Sequence, residues 1–75
     1  MNKRVLIYGE INEERMRQDE KWGGQNHDDQ HHCEEWAELI REYAELAYNE
    51  EYFRKRMVQV AALAFAAIES YDRKK

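Results

Sequence analysis

Apolar residues recur along the chain at the three- and four-residue spacing of an α-helix, and this pattern predicts three helices. The first is predicted from about Lys3 to Lys21. Its apolar residues fall near one stripe among charged neighbours: Val5, Tyr8, Ile11 and Met16. Gly23 and Gly24 are expected to end this helix, and the polar segment Gln25 to Gln30 is predicted to be a loop.

A second helix is predicted to begin at Asp28 or Asp29, since either side chain can cap it, and to run to about Tyr48. Its apolar residues fill one arc of roughly 120° at helical spacing: Trp36, Leu39, Ile40, Tyr43, Leu46 and Ala47. After a break capped by Asn49, a third helix is predicted from about Glu50 to Asp72.

The middle of the third helix, from Met57 to Ile68, is apolar on nearly every face and is interrupted only by Gln59. A helix that is apolar all round is expected to be buried all round. Two partner helices from a chain of 75 residues cannot cover it fully. The pattern therefore predicts an all-α, three-helix protomer that forms a helical-bundle homo-oligomer. The alternative is a monomer in which this helix is central.

The amino-acid composition excludes several classes of fold and of binding partner. The absence of proline and the presence of only three glycines disfavour sandwiches and barrels, and the length suits a single domain over residues 1–75. A net charge of −4 argues against binding to duplex nucleic acid. One cysteine, Cys33, cannot form an intramolecular disulfide, which favours the cytoplasm. The longest uncharged run, from Met57 to Ile68, is shorter than the roughly 20 residues of a membrane span, so no membrane partner is expected.

Acidic residues of the second helix form the first candidate site. Five glutamates fall within an arc of about 100° opposite the apolar stripe: Glu34, Glu35, Glu38, Glu42 and Glu45. Clustered carboxylates are the oxygen ligands that Mg²⁺ requires. The same pattern is also typical of a solvated helix face, and both interpretations stay open.

Histidines and a cysteine form a second candidate at the start of this helix: His27, His31, His32 and Cys33. His31 and Glu35 stand four residues apart, a spacing that can bind a transition metal. There is no distant second pair of Cys or His residues to close a tetrahedral site, which favours ordinary surface histidines.

The end of the first helix combines aromatic, cationic and glycine residues. Trp22 offers a stacking face for a base, while Arg17 and Lys21 could reach a phosphate. The alternative is a core tryptophan with solvated neighbours.

A basic cluster, Arg54 to Arg56, lies at the positive end of the third helix, where cations are unfavourable. A negative group is therefore expected beside it. The candidates are the acidic face of the second helix and a ligand phosphate.

Four segments resemble small MazG-like proteins, many of them phage-encoded, of the all-α nucleoside triphosphate pyrophosphohydrolase group. They are Arg15 to His27, Trp36 to Leu46, Met57 to Ala64 and Ala67 to Arg73, and the stretch Gln18 to Gly23 is the most specific. The resemblance implies an oligomeric four-helix core. It also implies Mg²⁺ held by Glu-Glu-x-x-Glu on one helix and Glu-x-x-Asp on the next, with the metal activating water against the triphosphate.

This chain departs from both family motifs. The first falls on Arg41, Glu42 and Glu45, and the second on Arg56 and Gln59, so two expected metal ligands are arginines. Arginine in place of glutamate reverses the charge and presents a fork that suits phosphate. The implied nucleotide-binding residues are Arg17, Lys21, Trp22, His27, Arg41, Glu42, Glu45, Arg56 and Gln59.

Three functions follow from these features. The first is a nucleotide-binding protein without hydrolysis and without a cofactor, such as a phage sponge that sequesters a signalling or immune nucleotide or cyclic nucleotide. The second is a Mg²⁺-dependent pyrophosphohydrolase with Glu38, Glu42 and Glu45 as metal ligands. The third is a helical protein–protein interaction module. No motif in the sequence identifies the base.

Overall fold

The computed structural model describes residues 2–74, and the regular structure in that range is entirely helical. The elements are α1 (Lys3–Trp22), α2 (Gly24–Asp28), α3 (Cys33–Glu45), a 3₁₀ turn (Leu46–Tyr48) and α4 (Glu50–Arg73). The predicted all-α fold is confirmed. The predicted number of helices is wrong, because residues 2–74 contain four α-helices rather than three.

The additional helix, α2, forms in the segment that was predicted to be a loop. Gly23 ends α1 as expected: it adopts the left-handed conformation at φ 99°, and its N–H donates to the Asp19 carbonyl at 2.9 Å. Gly24 also has a positive φ, of 67°, after which the chain completes one further helical turn in which the Asp29 N–H donates to the Gln25 carbonyl at 2.9 Å. Two adjacent glycines therefore redirect the helix instead of opening a loop.

The predicted cap of α3 is also wrong. The helix begins at Cys33, and the preceding His32 donates its backbone N–H to the Glu35 carboxylate at 3.2 Å. Asp29 does not cap because its carboxylate accepts hydrogen bonds from Ser70 and Arg73 of α4, at 3.1 and 2.8 Å. Asp29 was predicted from the local sequence to be a cap, but its side chain binds residues of α4 instead.

The two alanine substitutions Gly23→Ala and Gly9→Ala are expected to have opposite effects. At Gly23 the left-handed backbone costs an L-residue about 1–2 kcal/mol. Gly9 lies inside α1 with open space around its Cα, so alanine there should add about 1 kcal/mol through helix propensity. Urea unfolding of both variants checks this. Equal effects would show that the backbone at Gly23 is not left-handed in solution.

Packing places α3 and α1 on α4. The 3₁₀ turn reverses the chain between α3 and α4, and Asn49 caps α4 as predicted by accepting the Glu51 N–H at 3.0 Å. The core is formed by the buried Trp36, Leu63 and Ala66, with partly buried residues packed around them: Trp22, Leu39, Ile40, Tyr43 and Ala67. Most of the predicted apolar arc of α3 therefore faces the core.

The predicted apolar stripe of α1 does not form its packed face. Val5, Tyr8 and Met16 are exposed, whereas Glu14 and Gln18 are buried against α4. Buried polar groups persist where hydrogen bonds satisfy them, and the Gln18 amide donates to both Glu14 and the Gln59 carbonyl. The helix has therefore turned a polar face inward.

Burial of α4 is one-sided in the single chain. Leu63 is 1% exposed, but Phe65 and Ile68 on the other side of the helix are 53% and 62% exposed. The predicted burial on every face is therefore not reached within residues 2–74, and the homo-oligomer stays a prediction. None of the helices described here is long and apolar enough to cross a membrane.

Candidate functional site

A polar cluster occupies the interface between α1 and α4. We call it the α1–α4 cluster; its members are Glu14, Arg17, Gln18, Arg56 and Gln59. The Gln18 side-chain nitrogen donates to Glu14 Oε2 at 3.2 Å and to the Gln59 carbonyl at 3.5 Å. The Arg17 guanidinium donates to the other oxygen of Glu14. Glu14 is thus committed to two partners on its own helix.

Arg56 is the unusual member of this cluster. It is half-buried, and its Nη1 donates to Gln59 Oε1 at 3.0 Å. Its Nε is buried without a hydrogen-bond partner, and within residues 2–74 it forms no ion pair with a carboxylate. Within residues 2–74 the Oε1 of Gln18 is also buried without a hydrogen-bond partner, and this acceptor oxygen requires a donor rather than an anion. Removing a cation from water without a partner is costly, so the arrangement favours an anion at this position.

Arg54 shows the contrasting case two residues earlier. Its guanidinium binds Glu10 of α1 through two hydrogen bonds, one of them 2.9 Å long. These bonds hold the pKa of Glu10 below its ordinary value and raise the pKa of Arg54. The negative group expected beside the basic cluster is therefore Glu10 for Arg54, rather than the acidic face of α3. No carboxylate of the described part of the chain pairs with Arg56.

The end of α1 forms a chain of rings with α2 and α3. Trp22 stacks on His27 with centroids 6.2 Å apart, His27 meets His31 edge-on at 4.7 Å, and His31 meets Trp36 at 5.0 Å. Lys21 lies over the Trp22 ring, its Nζ 5.3 Å from the centroid. Trp22 packs against the core, in agreement with the alternative interpretation of this residue. Its role as a platform for a base stays a prediction.

His31 and Glu35 meet as their spacing indicated, with Nδ1 and Oε2 separated by 3.3 Å. The hydrogen bond from His31, followed by that from the His32 N–H, lowers the pKa of Glu35 below its ordinary value. Cys33 is exposed. Across residues 2–74 no three His, Cys, Asp or Glu side chains are placed where they could hold a metal ion together.

The acidic face of α3 is solvated and carries Arg41 in its middle. The Arg41 guanidinium, 66% exposed, lies 2.7 Å from a Glu38 oxygen and 3.9 Å from a Glu45 oxygen. The hydrogen bond to Glu38 raises the pKa of Arg41. The Arg41 guanidinium therefore lies between two of these carboxylates, and the binding of Mg²⁺ by Glu38, Glu42 and Glu45 stays a prediction.

An open groove follows the same face and has a volume of about 530 Å³. Its lining residues are His31, Glu34, Glu35, Glu38, Leu39 and Glu42. Four of these lining residues are glutamates, and their negative charge disfavours a phosphate in this groove.

A second polar cluster holds α2 on the end of α4. Ser70, buried, has its hydroxyl 3.2 Å from the Asp28 carbonyl and 3.1 Å from the Asp29 carboxylate. Arg73 binds Asp29 at 2.8 Å and lowers the pKa of that carboxyl, while Arg15 of α1 binds Glu69 at 3.1 Å. The contacts made with Asp28 and Asp29 hold the short helix that carries His27 against α4.

The nine predicted binding residues fall into three groups. Arg17, Arg56 and Gln59 belong to the α1–α4 cluster. Lys21, Trp22 and His27 lie at the end of α1 and in α2, whereas Arg41, Glu42 and Glu45 lie on the outer face of α3. The contacts within residues 2–74 do not join Arg41 to Arg56, and the proposed role of Arg41 stays a prediction.

Sequence reasoning did not name Glu14 or Gln18 as binding residues. Together with Ile11 they follow the three- and four-residue spacing of one helix face, so a search for periodic polar positions would have found them.

Comparisons of the chain with protein-family models, with curated proteins and with solved structures found no match.

Proposed function

We propose that this protein binds the phosphate groups of a nucleotide at the α1–α4 cluster and releases the nucleotide unchanged. The observation that carries the proposal is Arg56, a half-buried residue whose Nε is buried and has no hydrogen-bond partner among residues 2–74. A phosphate oxygen would supply the missing charge and accept the unused N–H.

The neighbours of Arg56 suit an anionic ligand. Gln59 holds the guanidinium through a 3.0 Å hydrogen bond, which reduces the side-chain entropy lost on binding. Arg17 adds a second guanidinium at the exposed edge of the cluster, and it already neutralises the one carboxylate there, Glu14. The net charge of the cluster is therefore positive, as phosphate recognition requires.

Binding without turnover is supported by two features. The resemblance to MazG-like proteins aligns Arg41 and Arg56 with positions where metal ligands are implied. Glu14, the carboxylate of the cluster, is committed to Arg17 and Gln18 and is not free to act as a general base. A protein that holds a nucleotide unchanged lowers its free concentration, which is the sponge activity expected from the sequence.

The test compares two arginines of the same helix. Isothermal titration with a panel of nucleoside mono-, di- and triphosphates and cyclic nucleotides should find a ligand whose affinity falls 10- to 100-fold in Arg56→Gln. A loss of that size corresponds to removal of about 1.4–2.7 kcal/mol of charge-assisted bonding. Arg54→Gln removes the same charge from a surface pair with Glu10 and should bind normally. Equal affinity in both variants would contradict the proposal.

The same panel distinguishes the other functions. A ligand at 100 times its Kd should stabilise the protein by about 2.7 kcal/mol, so a melting temperature indifferent to every nucleotide would leave the interaction module as the function. Release of pyrophosphate only with Mg²⁺ present, and its loss in Glu42→Gln, would establish the hydrolase instead.

A further inference from the structure

The side-chain oxygen of Gln18 is a second buried atom of the α1–α4 cluster that needs a partner. Gln18 is 5% exposed, and its side-chain nitrogen donates to Glu14 Oε2 and to the Gln59 carbonyl. Its Oε1 is buried and has no hydrogen-bond partner among residues 2–74. Burial of an acceptor without a donor is unfavourable. This oxygen therefore indicates a donor that the described part of the chain does not supply.

An ionised phosphate cannot be that donor. Its oxygens accept hydrogen bonds, as the buried Nε–H of Arg56 requires, but they donate none. The two buried atoms together are complementary to a ligand that carries a neutral donor beside its anionic group. In a nucleotide, such donors are the hydroxyls of the sugar and the amino groups of the base.

Contacts between α1 and α4 place Arg56 on one side of Gln18. Arg54 binds Glu10, and further along both helices Gln59 contacts Gln18, so the two helices run in the same direction. Arg56 precedes Gln59 on α4 and therefore lies toward the N-terminal side of Gln18 along α1. A phosphate bound to Arg56 occupies that side of the cluster.

The aromatic end of α1 lies on the other side of Gln18. Trp22, the predicted platform for a base, is one helical turn further along α1, a rise of about 6 Å. A nucleotide whose phosphate binds Arg56 and whose base reaches Trp22 has its sugar at the level of Gln18. The position of Gln18 between the two therefore favours a sugar hydroxyl over a base amino group as the donor.

We propose that Gln18 accepts a hydrogen bond from a ribose hydroxyl of the nucleotide and makes the protein selective for the sugar. This specificity rests on the nucleotide binding proposed above. The 2′- and 3′-hydroxyls offer the same chemistry, and either can donate to Oε1. A ligand that lacks the hydroxyl forms no bond to this buried oxygen, and sites with a buried polar group discriminate against such analogues. The expected loss of affinity is about 10- to 100-fold.

The first test varies the ligand and leaves the protein unchanged. Isothermal titration compares ATP, GTP, CTP and UTP and the corresponding 5′-monophosphates with their 2′-deoxy and 3′-deoxy analogues. Removal of one of the two hydroxyls should weaken binding about 10- to 100-fold, and the weaker analogue identifies the donor. Affinity that depends on the base but is equal for all three sugars would overturn the selectivity, as would absence of binding by every compound. If affinity for all three sugars still fell in Arg56→Gln, the proposed phosphate site would stand without the role of Gln18.

The second test removes the acceptor from the protein. Methionine has a similar length to glutamine but no carbonyl oxygen, so Gln18→Met should bind the ribose and deoxyribose forms equally. Gln30→Met, which changes an exposed glutamine in the turn after α2, is the matched control and should keep the wild-type preference. Circular dichroism and urea unfolding establish that both variants are folded at the titration temperature. A sugar preference that persists in a folded Gln18→Met, or disappears in Gln30→Met, would exclude Gln18 as the acceptor.

Discussion

Truncation of Leu63 to alanine is expected to lower the melting temperature by about 10–30 °C. Leu63 is 1% exposed and contributes to the core with Trp36 and Ala66. Removal of a buried leucine side chain costs about 2–5 kcal/mol, part of it from the cavity that remains. A domain of this size has a total stability of about 4–11 kcal/mol, so the loss is a large fraction of the whole. Each kcal/mol corresponds to about 4–8 °C.

The matched control is Leu46→Ala. The chemical change is identical, but Leu46 is 51% exposed in the 3₁₀ turn and has less contact to lose. Its effect on unfolding should stay below about 1 kcal/mol. Thermal and urea unfolding followed by circular dichroism measure both variants. A similar loss in the two would mean that the core does not centre on Leu63.

Replacement of Glu14 by alanine is expected to destabilise the protein by about 1–3 kcal/mol. Glu14 is buried, and it accepts hydrogen bonds from Arg17 and Gln18. Without it the buried Gln18 side-chain nitrogen retains, among residues 2–74, only the 3.5 Å contact with the Gln59 carbonyl. A buried amide that loses its partner forfeits about this amount of free energy. The melting temperature should fall by about 5–20 °C.

Glu13→Ala is the control for this prediction. Glu13 precedes Glu14 in the chain and is exposed, so its replacement should change the free energy of unfolding by no more than about 0.5 kcal/mol. Urea unfolding at constant pH and salt compares the two variants directly. If Glu13→Ala proved the more harmful, α1 would have to be rotated on its axis relative to the present structure.

The helices themselves could be predicted because their signals are local. Apolar spacing indicated α1, α3 and α4 to within a few residues, apart from the beginning of α3. Gly23 ends α1 and Asn49 caps α4, both as expected. Prediction from the local sequence was wrong where a residue distant in the chain bound the side chain in question. Asp29 had the chemistry of a cap, but Ser70 and Arg73 bind it from the end of α4.

The candidate site depended on contacts that periodicity does not encode. Arg54 and Arg56 are two residues apart and look equivalent in the sequence, yet Arg54 reaches Glu10 on α1 and Arg56 turns inward without a carboxylate partner in residues 2–74. Arg41 instead pairs with Glu38 and Glu45 of its own helix. A helix pattern defines which residues share a face, but the neighbour of that face decides the role of each charge.

The helical class of this protein follows from the order of its residues, because hydrogen bonds within a helix join residues that are close in the chain. The buried side of α1 is set instead by packing against α4, with Glu14 and Gln18 inside while Val5 and Met16 face solvent. Burial of a helix face depends on the free energy of the whole interface that it forms. A polar face can be buried when its side chains form hydrogen bonds with the neighbouring helix. The apolar face of the same helix then stays exposed, because no apolar surface of the single chain packs against it.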